Sequence, residues 1–157
     1  CKGNCENAKV QYTYSGIEDC RMATVVPGSG AKACSVGCMG LGSCVKACAF
    51  DAIHVVDGVA VVDEEKCVAC GKCVAACPNN LIELVPYDSK HRVQCSNHAK
   101  GKDVKAVCSA GCIGCTLCTR QCAFDAIHMD NNLAVIDYEK CTNCGKCAEK
   151  CPVKVIL

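Results

Sequence analysis

Tryptophan is absent from these 157 residues, and aromatic side chains make up only 4% of them. Large rings carry much of the buried area of ordinary small domains, so a conventional core here is thin. No run of about 20 apolar residues is present to cross a bilayer, and no secretory leader opens the chain. The chain begins at Cys1 rather than Met, which leaves an upstream anchor open. No Ser/His/Asp constellation, phosphate-binding glycine loop or dinucleotide fingerprint occurs, so no catalytic site of the chain's own is apparent. The formal charge is +1 and basic residues form no block, which excludes a nucleic-acid footprint.

What is there instead is cysteine, 21 in all. That is about an eighth of the chain, above the roughly 8–10% that marks a cysteine scaffold. Fifteen fall into four runs. Cys67, Cys70, Cys73, Cys77 and Cys141, Cys144, Cys147, Cys151 each end in proline, Pro78 and Pro152. Cys112, Cys115, Cys118, Cys122 keep the spacing but end in Ala123. Cys38, Cys44 and Cys48 form a run whose second position is Leu41. Two-two-three spacing is that of cysteine thiolates holding [4Fe–4S] clusters, with the last cysteine of each run crossing to the other cluster of the pair. Disulfide frameworks have no reason to repeat that spacing, and 21 is odd. Zinc ribbons need pairs of C-x2-C, not runs of four. The expected setting is reducing and low in oxygen. Each oxidised cluster with four thiolates carries about two negative charges, so four of them would take the loaded chain to roughly −7.

The chain repeats. Residues 48–67, CAFDAIHVVDGVAVVDEEKC, match 122–141, CAFDAIHMDNNLAVIDYEKC, at 13 of 20 positions and an offset of 74. The fold expected is α+β, two tandem 2[4Fe–4S] bacterial-ferredoxin-like modules with a cysteine-containing N-terminal segment. Its divisions are 1–33, an N-terminal segment with a candidate extra cluster; 34–85, the first module; 86–107, a basic linker; and 108–157, the second module. Within a module, Ile53–Val56 and Val59–Val62 read as a hairpin turning at Asp57-Gly58, and Asn131-Asn132 takes that turn in the second copy. A short helical turn is expected after each third cysteine, as at Val74–Ala76. The linker, with Lys90, His91, Arg92, His98, Lys100, Lys102 and Lys105, reads as a solvated face rather than a docking surface for an acidic partner.

By the crossover rule, Cys112, Cys115, Cys118 and Cys151 are expected to hold one cluster and Cys141, Cys144, Cys147 and Cys122 another. Cys67, Cys70, Cys73 and Cys48 complete a third. The fourth has Cys38, Cys44 and Cys77 and lacks a ligand at Leu41; a further cysteine, a three-iron cluster or a non-cysteine ligand are the alternatives, with Cys34 the nearest spare. Cys1, Cys5, Cys20 and Cys34 form a group able to supply a fifth cluster, and Cys95 and Cys108 are further candidate ligands. The alternative for all six is burial as small hydrophobes. At least four clusters, and on this grouping five, imply about 16 to 20 iron atoms. Cys108, Cys112 and Cys115 also match the C-x3-C-x2-C of radical S-adenosylmethionine enzymes, but Cys118 and Cys122 continue the ferredoxin run and the chain is too short for that barrel. His54 and His128 read as half-exposed strand residues, and Phe50 and Phe124 as packing against clusters.

GCMGLGSCVKACAFDAI with Leu41, then CVACGKCVAACPNNLIELVP, GCIGCTLCTRQCAFDAI and LAVIDYEKCTNCGKCAEKCP resemble the B subunit of Rnf-type complexes. The version with two ferredoxin modules fits best, and CKGNCENAKVQYTYSGIEDC resembles that family's connecting segment. The resemblance implies an electron-transfer subunit on the cytoplasmic face of the cell membrane. It would take electrons from reduced ferredoxin and pass them to other subunits of a complex that reduces NAD and pumps sodium ions or protons. Membrane contact would come through partner subunits or an N-terminal anchor not in this sequence. The alternative is a soluble polyferredoxin, or a relay subunit of a hydrogenase or other anaerobic reductase.

Overall fold

The computed structural model describes residues 1–157, which divide into two compact units. The first comprises Cys1 and Gly3–Leu84, the second Lys2 and Val85–Leu157. Secondary structure is sparse and short. In the first unit it consists of α1 (Cys20–Ala23), α2 (Ser43–Ala47), β1 (Ile53–Val56), β2 (Val59–Val62) and α3 (Lys72–Ala76). In the second it consists of α4 (Gly101–Val107), α5 (Leu117–Gln121), β3 (Ile127–Asp130), β4 (Leu133–Ile136) and α6 (Lys146–Glu149). Two hairpins, each flanked by short helices, give the expected α+β, tandem ferredoxin-like architecture.

Each hairpin is a two-stranded antiparallel sheet, with Ile53 opposite Val62 and Ile127 opposite Ile136. The turns follow from their residues. Asp57 and Gly58 have φ 48° and 74°, and Asn131 and Asn132 have φ 43° and 69°, the left-handed pair that a two-residue turn requires. Helices α2, α3, α5 and α6 begin next to the third cysteine of a run, and none has a side-chain N-cap. At one turn or so in length they are held by what surrounds them rather than by propensity.

The N-terminal segment of the first unit is a closed loop. Gln11 donates its N–H to the Ala31 carbonyl and Ala33 to that of Lys9, both at 2.8 Å, so the two ends pair. Lys32 is buried, and its ammonium donates to the carbonyls of Gly3 (2.8 Å) and Gly58 (2.6 Å). The segment 86–107 differs from the solvated linker expected of it. It is part of the second unit: Gln94 donates to the Val155 carbonyl at 2.8 Å, Arg92 to that of Leu157 at 2.7 Å, and Val104 of α4 is fully buried. The basic residues gave it a solvated look; Val93, which bridges to Ile156, and Val104 are what fold it in.

Candidate metal centres

The four cysteine runs share one backbone conformation. Between the first and second positions, Gly40, Ala69, Gly114 and Asn143 have φ 78°, 54°, 66° and 57°; directly after the second position, Gly42, Gly71, Thr116 and Gly145 have φ 74°, 76°, 59° and 77°. A β-branched residue such as Thr116 is rarely held there. Three residues past each fourth cysteine, Asp51, Asn80, Asp125 and Lys154 are again left-handed, at φ 48–51°. This last turn aims the next backbone N–H back at sulfur. Leu81 donates to the Cys77 Sγ at 3.4 Å and Ala126 to that of Cys122 at 3.3 Å. Ala52 does the same for Cys48, and backbone N–H groups, Ala52 first, hold that thiol below its usual range. Within the first hairpin Ala60 donates to the Cys38 Sγ at 3.4 Å. The loop around Leu41 thus keeps the conformation of a ligand loop although its second cysteine is missing.

The third cysteine of each run is the second residue of its short helix, and its thiol responds to burial. Burial pushes Cys118 up to about 11, with Cys112 and Cys115 adding to the effect. Burial likewise raises Cys147, beside Cys141 and Cys144, and Cys73, beside Cys67 and Cys70. Burial pushes Cys44 up to about 11 as well, and the thiols beside it are Cys38 and Cys20. Such groups are protonated without metal, so iron must displace a proton to bind them.

In the second unit the last cysteine of each run lies with cysteines of the other run. One cavity is lined by Cys122 together with Cys141, Cys144 and Cys147, and by Phe124, Ile127 and Ile136. Cys112, Cys118 and Cys151 meet in the buried core, with Cys95 packed against it. In the first unit a second cavity is lined by Cys38, Cys44 and Cys77, and also by Cys1 and Cys20. Asn79 fastens its two sides, donating through its amide to the Ser35 (3.2 Å) and Gly37 (2.8 Å) carbonyls. Of the four N-terminal cysteines grouped by sequence, Cys1 and Cys20 reach this cavity; Cys5 and Cys34 are not in its lining. Cys5 is exposed and Cys108 is buried at the C-terminus of α4. No disulfide links any of the 21 cysteines. No three His, Cys, Asp or Glu side chains are gathered closely enough for a single ion; the ligand shell of a four-iron cube is wider. Convergent thiols, apolar walls and N–H groups aimed at sulfur are the donor set such a cube takes.

Sequence reasoning passed over His91 as one linker charge among several. It lines the second unit's cysteine cavity, and its Nδ1 is buried without a hydrogen-bond partner. Nothing in its local sequence marks it, since the cavity's cysteines lie 31 or more residues further on. Phe124 lines the same cavity, and both it and Phe50 are about half exposed, at 51% and 46%. His54 sits on the hairpin surface with its ring 3.1 Å from the Asp51 carbonyl, and His128 is also exposed.

Two family models match, both described as 4Fe–4S dicluster domains, over residues 60–129 and 111–155. The chain is an iron–sulfur protein with multiple 4Fe–4S clusters. Among curated proteins, it is 46% identical over 157 residues to the B subunit of a Na(+)-translocating ferredoxin:NAD(+) oxidoreductase complex from Acetobacterium woodii, covering 99% of this chain and 47% of that protein. It is 46% identical to the B subunit of an ion-translocating oxidoreductase complex from Methanosarcina acetivorans, covering 99% of this chain and 59% of that protein. It is 43% identical to the corresponding B subunit of a proton-translocating ferredoxin:NAD(+) oxidoreductase complex from Clostridium ljungdahlii, covering 99% and 56%. The chain is a homologue of these Rnf-type B subunits. It spans about half the length of the relatives it matches. No helix in it is long and apolar enough to cross a membrane.

Proposed function

We propose that the chain is the electron-relay portion of a membrane-associated, ion-translocating oxidoreductase, accepting electrons from reduced ferredoxin at the cytoplasmic face and passing them to partner subunits on the route to NAD. The observation that carries this reading is the lining of one cavity by Cys122 with Cys141, Cys144 and Cys147, the crossover of a two-cluster ferredoxin, in a chain that matches Rnf-type B subunits over 99% of its length.

Three ligand sets follow from the runs: Cys112, Cys115, Cys118, Cys151; Cys141, Cys144, Cys147, Cys122; and Cys67, Cys70, Cys73, Cys48. A bound 4Fe–4S cluster supplies reversible one-electron chemistry. The residues around it set how readily it is used. Thiolates hold the iron, N–H groups of Ala126 and Ala52 point at Cys122 and Cys48, and Ile127 and Ile136 keep water from one wall of the cavity. For a donor such as ferredoxin, potentials near −400 mV or below are expected, about those of plant-type ferredoxins.

The test is rapid mixing of the anaerobically loaded chain with reduced ferredoxin. Loss of its visible thiolate-to-iron absorbance on a catalytic timescale supports the reading. Reduction by a strong chemical reductant but not by reduced ferredoxin would overturn the donor assignment.

A further inference from the structure

Leu41 stands where the run Cys38, Cys44, Cys48 needs its second thiolate, yet the loop around it has the left-handed residues of the three intact loops. A ligand loop without its ligand calls for a thiol from elsewhere in the chain. We propose that Cys20, carried in by the N-terminal loop, is the fourth thiolate of this centre, completing a set with Cys38, Cys44 and Cys77. The proposal rests on the iron–sulfur reading of the runs and adds to it a ligand that run spacing cannot find.

Cys20 lines the same cavity as Cys38, Cys44 and Cys77.

The backbone is built to bring it there. Cys20 is the first residue of α1, and Asp19 caps that helix by accepting from the N–H groups of Arg21 (2.8 Å) and Met22 (3.3 Å). The Cys20 N–H donates at 2.7 Å to the hydroxyl of Ser43, a buried residue adjacent to Cys44. On either side, the Lys46 ammonium donates to the Glu18 carbonyl, and the Arg21 guanidinium donates to the Ala75 carbonyl of α3 at 3.1 Å. Three ties therefore clamp α1 across α2 and α3. In the second module, where Cys115 is present, the residue equivalent to Ser43 is Leu117, which cannot make the bond. Of these two equivalent loops, the serine stands only in the one that lacks its ligand.

Cys1 lines the cavity too, but its Sγ accepts from the Gly3 N–H at 3.4 Å and no helix holds it. It is the natural control. On binding iron, the Cys20 thiol gives up its proton and becomes one of four thiolates.

The experiment uses the whole chain, loaded and purified without oxygen, as wild type, Cys20→Ala, Cys1→Ala and the double variant Cys20→Ala/Leu41→Cys. Iron, acid-labile sulfide and the EPR spectrum of the oxidised protein are read for each. The expected result for Cys20→Ala is loss of about one to four iron atoms per chain, with a three-iron EPR signal where one is lost. Cys1→Ala is expected to match wild type. Leu41→Cys should restore iron content and remove the three-iron signal in the double variant, which separates ligation from failure to fold. Unchanged iron and EPR in Cys20→Ala, or loss in Cys1→Ala instead, would overturn the assignment while leaving the iron–sulfur reading intact. Wild-type protein holding zinc and no sulfide would overturn that underlying reading.

Discussion

The two modules share a hairpin, a register and a set of cysteine loops, yet they bury their strands differently. In the second, Leu133, Ala134 and Ile136 of β4 are all buried; in the first, only Val59 of β2 is, while Val61 and Val62 are 47% and 40% exposed. The cover explains this. The second unit gains apolar cover, since Val93 bridges to Ile156 and packs against the core cluster that holds β4. The first unit is covered by an N-terminal loop tied on through polar groups, Lys32 to Gly58, Cys20 to Ser43 and Arg21 to Ala75. One fold can thus be closed by apolar contact or by hydrogen bonds, and with Cys20 as the proposed ligand the second strategy leans harder on the metal.

The largest effect that would break this comparison is iron removal. Small metallodomains draw much of their folding free energy from the metal. Chelation under reducing conditions is expected to abolish protection of the β1–β2 amides from hydrogen exchange, while β3–β4 amides retain a measurable part of theirs. Equal loss in both hairpins would mean that the apolar cover of the second unit adds no independent stability.

Ile136 and Val62 hold equivalent positions, and truncating each sharpens the contrast. Ile136 is 7% exposed and lies in the core cluster. Ile136→Ala is expected to lower the stability of the loaded protein by about 2–4 kcal/mol, the range for large-to-small core substitutions. Val62→Ala should stay within about 0.5 kcal/mol, as surface changes do. Denaturant titration of the two variants, followed by visible absorbance, reads both.

The turn residues offer a smaller reciprocal test. A Cβ on Gly58 would lie 2.8 Å from the Cys5 Sγ, so Gly58→Asn is expected to cost about 1–3 kcal/mol through overpacking and to speed alkylation of Cys5. Asn132→Gly removes one hydrogen bond, from its side-chain amide to the His98 carbonyl at 3.1 Å, and is expected to cost about 0.5–1.5 kcal/mol. If Gly58→Asn changed neither quantity, Cys5 would not be held against the turn.

These contrasts also mark what the sequence could and could not show. Hairpins, turns and ligand runs were legible because each depends on neighbours within a few residues: β-branched alternation, Asp57-Gly58, two-two-three cysteine spacing. The position of Cys20 was not, because it depends on a clamp between residues 23 apart, and spacing placed it among the N-terminal cysteines. The folding-in of 86–107 was hidden for a related reason. Its charges are frequent and its few apolar anchors, Val93 and Val104, are spaced for contact with distant residues rather than for local periodicity.

The smallest expected effect concerns a lysine ion pair that differs between the modules. Lys66 pairs with Asp51 at 3.1 Å in the first, whereas Lys140 pairs with Asp137 at 3.6 Å in the second and leaves Asp125, the equivalent of Asp51, out of the pair. Lys66, through a hydrogen bond and then its charge, holds the Asp51 carboxyl below its usual range. The sign is that of a depressed acid: whatever the pair contributes is present above the ordinary carboxylate range and lost as acid protonates Asp51. Asp51 is fully exposed to solvent, and exposed pairs contribute little and are screened by salt. Asp51→Asn keeps a residue that tolerates the left-handed turn at φ 51°, so it isolates the charge. Its thermal melting is expected to match that of wild type and of Asp125→Asn, in low and in high salt alike. A clear drop for Asp51→Asn alone, present only at low salt, would show that charge as well as cover distinguishes the first module from the second.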